Sequence, residues 1–402
     1  MIRVMGEVRQ ESVRRIVSRG WLRRSVKALL HVCGVVRREL GLPLMILVSG
    51  VLLQGLAALF PELTERLYTQ SVYPYLLVAL SWFSRRLGFS VGEVLMWVLL
   101  AVALARLVRL CFLLYSRPEE RARRTVASVR FAVWSAAALL WTFLFVFGLN
   151  YQRPLLFDLL GYEQKSASAA ELETLSREII NDVNETYAEA HADGRPVPGV
   201  EETKVLLKES YDTVPDLTLL PHGEYAPPKP LLASEVMTRL GLSGVYSPFT
   251  GEPNYNADVP DFQMPFTIAH EMAHQRGVAR ESEANFVAYV VCISSPNPFV
   301  RYSGYRNGLG VLSELYKVNP EKARDLIKGL GPGYREDSRR AAIFWAKATG
   351  AAAALSQRVN DLYLRANRVK SGAADYRGST ALIIGYYLHE TARKKVSETN
   401  RQ

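Results

Sequence analysis

Histidine is scarce in this chain, six in 402 residues. Two of the six stand four apart in His270-Glu271-Met272-Ala273-His274. On a helix, positions i and i+4 share a face, so both imidazoles can hold a single ion. Glu271 lies one residue on, within reach of a water bound to that ion. Zinc in a catalytic site takes three protein ligands and keeps one position open. The acidic cluster Glu281-Ser282-Glu283-Ala284-Asn285 begins seven residues after His274 and offers the third. These residue types point to a Zn2+-dependent hydrolase, foremost a peptidase. In that chemistry the ion acidifies a water, Glu271 takes the proton as the water attacks a carbonyl, and the leaving amine receives it. The oxyanion needs a donor besides the ion. Tyr302, Tyr305 and Tyr376 are the downstream candidates, and His389 reads as a capping or surface group.

The elements around the motif must bring these groups together. Pro265-Phe266-Thr267-Ile268-Ala269 leads in with apolar character, so His270 starts a partly buried face. Gly277 supplies a helix stop. The chain turns through Val278-Ala279-Arg280 and begins a second helical run, Glu281 to Cys292, which ends before Pro296. Glu281 and Glu283 are two apart and point to different faces. Glu281 shares its face with Asn285 and Ala288, and Asn285 would then support a ligand histidine by a hydrogen bond. Glu283 shares its face with Phe286 and Val287, which reads as packing. The spacing favours Glu281 as third ligand, with Glu283 as the alternative. Upstream, Gly244-Val245-Tyr246-Ser247 and a turn at Thr250-Gly251-Glu252-Pro253 suggest a hairpin.

Glu281-x-x-Ala284-Asn285 resembles the E-x-x-A-D/N signature of gluzincin metallopeptidases, the membrane M-forty-eight-type and ImmA/IrrE-type enzymes among them. The resemblance implies that the first Glu, here Glu281, is the third zinc ligand. In those enzymes an edge strand in this position pairs with the substrate backbone, so the hairpin upstream of the motif either does the same or simply closes the domain. The gap between His274 and Glu281 is shorter than in many of those enzymes. A wider resemblance covers almost the whole chain. It rests on Gly148 to Pro154, Pro228-Lys229-Pro230, Gly244 to Glu252, Asn256 to Pro260, His270 to Tyr289, and Arg301-Tyr302-Ser303-Gly304-Tyr305. This ordered set is similar to a bacterial membrane family catalogued as domain of unknown function 3810. That resemblance implies three N-terminal membrane spans and a zincin-like domain.

The net charge of +10 does not mark a nucleic-acid surface. Residues 1–149 carry 20 Lys and Arg against 8 Asp and Glu, and residues 150–402 carry 29 against 31. The excess lies in 1–40 and 116–130, each beside an apolar stretch, which is the positive-inside pattern. Apolar runs at about 41–61, 94–115 and 131–149 are long enough to cross a bilayer. Arg106 and Arg109 would snorkel from the end of the second. The apolar segment Val72 to Phe83 is too short to span and reads as interfacial or re-entrant. The long basic leader argues against a cleaved signal. Cys33, Cys111 and Cys292 leave no disulfide inside the C-terminal part, where Cys292 reads as a buried thiol. No 20-to-50-residue repeat and no phosphate loop is present.

The expected architecture is mainly α: a basic cytoplasmic arm (1–40), a membrane domain of three spans (41–149), and an extracytoplasmic, zincin-like α+β domain with a small hairpin or sheet (150–402). In the last, a capping box at Ser168-Ala169-Ala170-Glu171 starts a helix to about His191, which Asp193-Gly194 breaks. A short helix near 201–210 and a Ser234-capped helix to Leu240 precede the hairpin. Helices follow at about 301–317, 320–328, 336–368 and 378–396, with the apolar run from Ala341 to Leu355 read as an amphipathic core helix. The expected partners are a peptide or protein substrate and the lipid bilayer, with no nucleic acid; oligomeric state stays open. Two other functions compete: a zinc hydrolase acting on a non-peptide envelope amide, and a non-catalytic membrane protein with structural zinc. Glu271 speaks against the last, since a structural site has no use for a base.

Overall fold

The computed structural model describes residues 34, 38–162, 167–192 and 195–399. Nearly all of the basic arm, Cys33 and the expected break at Asp193-Gly194 lie outside these residues. From the N-terminus the helices are α1 (Arg38–Leu59), α2 (Pro61–Thr64), α3 (Tyr73–Ser84), α4 (Val91–Ser116) and α5 (Arg121–Val146). Among the described residues, three helical stretches, Arg38–Leu59, Val91–Ser116 and Pro118–Val146, are long and apolar enough to cross a membrane. The third starts earlier than its apolar run. Arg121, Arg123, Arg124 and Arg130 continue the helix instead of forming a loop, because no breaker stands between them and Val146.

The chain forms two compact units. Among the described residues, the first comprises 34, 38–53 and 100–142. In it, Trp141 Nε1 donates to Ile46 O at 2.9 Å, and a Cβ at Gly50 would lie 2.9 Å from Leu140, so a small residue sets the approach of α1 and α5. The Arg106 guanidinium stacks 3.8 Å from the Phe131 ring centroid.

The second unit comprises residues 54–99 and 143–402. It is mainly helical: α6 (Leu156–Leu159), α7 (Ala169–Ala190), α8 (Val200–Thr213), α9 (Ser234–Leu240), α10 (Met264–Gln275), α11 (Glu281–Ile293), α12 (Pro298–Gly308), α13 (Val311–Val318), α14 (Pro320–Ile327), α15 (Pro332–Trp345), α16 (Gly350–Ala366) and α17 (Ser379–Thr399). Proline opens α10, α12, α14 and α15, where a missing N–H costs nothing. The capping box at Ser168 and Glu171 starts α7. Ser234 is the first residue of α9 and not its cap; the Glu93 carboxylate accepts from Leu232 N and Ala233 N instead. Two expected helices are each divided. Gly310 separates α12 from α13, and Gly350, at φ +84°, starts α16 after a break behind α15. Ile343 (57% exposed) and Leu355 (63%) lie outside the core, against the expectation for that stretch.

A three-stranded sheet runs in the order β1 (Lys229–Pro230), β3 (Glu252–Tyr255), β2 (Gly244–Ser247). β2 and β3 form the expected hairpin, with Gly244 opposite Tyr255 and Ser247 opposite Glu252. Its turn is Pro248 to Gly251, and Glu252-Pro253 belong to the strand. Pro253 sits opposite Tyr246 at a level that β1 does not reach, so the central strand tolerates it.

α10 and α11 stand at the centre. α11 is buried almost all round, from Phe286 through Cys292, and burial pushes the Cys292 thiol up. α3 is not an isolated surface segment. Its Tyr73 is fully buried, and Tyr73 Oη donates to Gln275 O at 2.8 Å, satisfying a carbonyl at the end of α10. Arg153 ties the turn after α10 by donating to Gly277 O at 3.3 Å while paired with Glu65 at 2.7 Å.

Candidate metal centre

α10 carries His270 and His274 one turn apart, and their rings stand at 89° with centroids 4.6 Å apart. Gly277, at φ +81°, ends the helix as its spacing predicts. The turn it makes brings the first residue of α11, Glu281, against both imidazoles. Glu281 Oε2 lies 3.2 Å from His270 Nε2 and 3.4 Å from His274 Nε2, and the two nitrogens are 3.0 Å apart. A tetrahedral zinc with ligand bonds of ~2.0–2.1 Å has ligand-to-ligand edges of ~3.3 Å, so this triangle fits the ion. His274 Nδ1 lies 2.7 Å from Val278 O, which makes Nδ1 the donor and leaves the Nε2 lone pair for a metal. His270 Nδ1 and Glu271 Oε2 are buried without a hydrogen-bond partner. The residues therefore suit a borderline-soft divalent cation.

The electrostatics follow from burial and proximity. Burial acts to raise the Glu281 carboxyl, but the His274 and His270 imidazoles outweigh it and hold it well below the usual carboxylate range. Burial opposes the His274 imidazolium, yet the Glu281 carboxylate raises it to about 9. Burial raises Glu271 to about 7, with the two imidazoles pulling the other way. Glu271 is thus a buried carboxyl poised near neutrality, which suits a group that takes up and releases a proton.

Other expected residues are placed elsewhere. Glu283 Oε1 accepts from Leu156 N at 2.8 Å, at the start of α6, and is not part of the His270, His274 and Glu281 group. Asn285 Nδ2 donates to Tyr376 O at 3.4 Å; it is Val278 O, not Asn285, that orients His274. Tyr302 Oη donates to Asp337 at 2.8 Å and accepts from Arg306, buried away from the metal groups. Tyr305 packs edge-on against Tyr289. His389 lies 4.9 Å from the Tyr162 ring, also apart from the site. Tyr376 alone of the three tyrosine candidates reaches the site. Burial and then the Glu281 carboxylate raise its hydroxyl, which faces Glu281 and Glu271.

Residues the motif does not announce complete the site. Asn360 Nδ2 donates to Tyr376 Oη at 3.3 Å. Tyr151 Oη donates to Tyr363 Oη at 3.2 Å, and both rings line the same cavity as the metal groups. Gly244 faces Glu271: a Cβ there would lie 2.5 Å from Glu271 Oε1. Gly244 and Tyr151 fall inside the ordered motifs quoted above, whereas nothing local distinguishes Asn360 or Tyr363. β2 is an edge strand beside this cavity. Because Pro253 has no N–H and Asn256 N bonds Ser243 O, the bonded pairs of the hairpin are those of Ser243, Val245 and Ser247. Gly244 and Tyr246 thus turn their N–H and C=O away from β3, to the free edge.

Residues 68–384 match the family described as protein of unknown function, DUF3810. The chain belongs to that family. No curated protein and no solved structure matches it.

Proposed function

We propose that this DUF3810 member is a membrane-anchored, zinc-dependent metallopeptidase of gluzincin type, with a zincin-like catalytic domain. The observation that carries the reading is the convergence of His270, His274 and Glu281 beside the buried Glu271, whose Oε2 has no hydrogen-bond partner. His270, His274 and Glu281 would hold Zn2+, which when bound supplies Lewis acidity and lowers the pKa of water. Glu271 takes the proton of the attacking water and passes it to the leaving amine. Tyr376, steadied by Asn360, donates to the developing oxyanion. The free edge of β2 at Gly244 and Tyr246 takes the substrate backbone as an added strand.

The catalytic unit works outside the cytoplasm. Charge bias puts the N-terminus and 116–130 inside, and both 61–93 and 150–402 outside. Support comes from packing: the two outside segments form one unit, joined by the buried bond from Tyr73 Oη to Gln275 O. A protease added to intact cells should therefore reach 150–402; digestion of the N-terminal arm alone would overturn this orientation.

The function is tested on detergent-purified full chain, wild type beside Glu271→Gln, by metal analysis and turnover of a broad peptide library. We expect one zinc in both and a loss of about 10³-fold or more in turnover for the variant. Full activity in Glu271→Gln would overturn the mechanism, and zinc without cleavage in wild type would move the search to non-peptide amides.

A further inference from the structure

Two cavities share Tyr376 as a wall and differ in character. The first, of about 690 Å³, holds His270, Glu271, His274 and Glu281. Its other walls are mostly apolar, with Phe143, Phe147, Val245, Phe249, Leu355 and Val359 among them beside Ser356 and Asn360. The second, of about 750 Å³, is more polar, with Asn285, Asn307, Ser313, Glu314, Lys317 and Thr380 beside Phe266 and Ile383. Tyr376 lines both. The two central helices also run from one to the other. On α10, Phe266 in the polar cavity lies one turn before His270, and on α11, Asn285 in the polar cavity lies one turn after Glu281. The proposed ligands therefore sit where the apolar wall gives way to the polar one.

A polar peptide laid along Phe143, Phe249 and Val359 would lose water and find no partner for its side chains. An apolar stretch there would shed its own exposed surface and that of Leu355 (63% exposed) and Val359 (56%). On the far side of Tyr376 the preference reverses, since Asn307, Ser313 and Thr380 offer donors and acceptors.

Building on the peptidase reading above, we infer that the substrate is amphiphilic about the bond that is cut. Its apolar part lies against Phe143, Val245 and Val359, and its polar part lies past Tyr376 against Asn285, Asn307 and Ser313. The apolar part is either a run of apolar side chains or an acyl chain attached to the peptide.

The test uses detergent-solubilised, zinc-loaded full chain and three labelled peptides with one scissile core. One carries Leu, Val and Phe on one side and Ser, Asn and Thr on the other. One is polar on both sides. One is polar with a palmitoyl group on one side. Binding is read by fluorescence anisotropy on Glu271→Gln, and cleavage on wild type. Leu355→Asp, introduced into each background, charges the apolar wall at an exposed position that folding tolerates. Ratios between the two wall states on one peptide cancel partition into micelles.

We expect the amphiphilic or the acylated peptide to bind at least tenfold tighter than the polar one. Leu355→Asp should abolish most of that difference while zinc content and thermal unfolding stay unchanged. Preference for the first peptide identifies apolar side chains, and preference for the third an acyl chain. Equal binding of all three, untouched by Leu355→Asp, would overturn the inference and leave the peptidase reading standing. Selective binding with no cleavage of any peptide by wild type would do the reverse.

Discussion

Around Lys229 and around Glu281, charged side chains are buried to similar depth and treated in opposite ways. Lys229 and Glu252 are 3% and 0% exposed, and Glu271 and Glu281 are 4% and 7%. Lys229 Nζ uses all three protons, on Ser84 O at 2.5 Å, Phe89 O at 2.9 Å and Glu252 Oε1 at 2.6 Å. Glu252 also accepts from Val91 N and Gly92 N, capping α4, and Glu93 on α4 in turn caps α9. Every charge there is matched, and the groups matched to them are largely backbone. At the candidate metal corner the charged groups face one another, and Glu271 Oε2 and His270 Nδ1 have no hydrogen-bond partner. The same unit that saturates one buried ion cluster leaves the other unsaturated. Saturation suits a cluster that holds the fold, and unpartnered buried polar atoms beside a His/His/Glu group are what the proposed function would require.

Lys229→Met should break that contrast most severely. It strands the Glu252 carboxylate, and removing one partner of a buried pair costs about 3–5 kcal/mol. Chemical unfolding of the full chain would read this, and Lys229→Met with Glu252→Gln should recover part of it. Glu281→Ala is the counterpart. It should lower zinc affinity by more than the ~10–100-fold that loss of a merely supporting group costs. Unfolded in the absence of zinc, Glu281→Ala should lose less stability than Lys229→Met. Equal losses would mean that both corners are structural. Glu283→Gln, by contrast, should keep its zinc, because Glu283 serves the start of α6.

How far the sequence reveals these corners depends on the chain separation of the groups. The histidine pair, the Gly277 stop, the Ser168 capping box and the β2–β3 hairpin are set by neighbours within a few residues, and each is readable. So are the three apolar helices, whose signal is length and composition. Tyr302 and Tyr305 are misread because their partners depend on which face of α12 meets the core. Tyr302 turns to Asp337, 35 residues on. The capping of α4 by Glu252 and of α9 by Glu93 spans separations near 160 and 140 residues, with no local pattern to show it. Asn360 and Tyr363 reach the site only because α16 lies along the cavity.

Tyr376→Phe should sharpen the functional side of the contrast. It removes the hydroxyl that faces Glu281 and Glu271 but keeps the ring that divides the two cavities. Loss of one oxyanion donor costs about 10²-fold in kcat. We expect that fall with zinc content and KM little changed. An unaltered kcat would leave Tyr376 as a wall residue. Asn360→Ala, which only steadies the hydroxyl, should show a smaller fall in the same direction.

Gly244→Ala is the smallest change and tests whether the edge strand belongs to the metal corner. An added Cβ would lie 2.5 Å from Glu271 Oε1, 2.7 Å from its Cγ and 2.9 Å from Asn254 O. The carboxylate end can swing, but the Asn254 carbonyl is fixed in the central strand, so the methyl must push on Glu271 more than on the sheet. Overpacking of this kind costs about 1–3 kcal/mol in stability. The larger consequence is positional, because a base displaced by a fraction of an ångström loses its alignment with the attacking water. We expect kcat to fall about tenfold, as general-base geometry is partly lost, while zinc stays bound to His270, His274 and Glu281. If kcat held and only stability fell, Gly244 would belong with Lys229 among the residues that hold the fold.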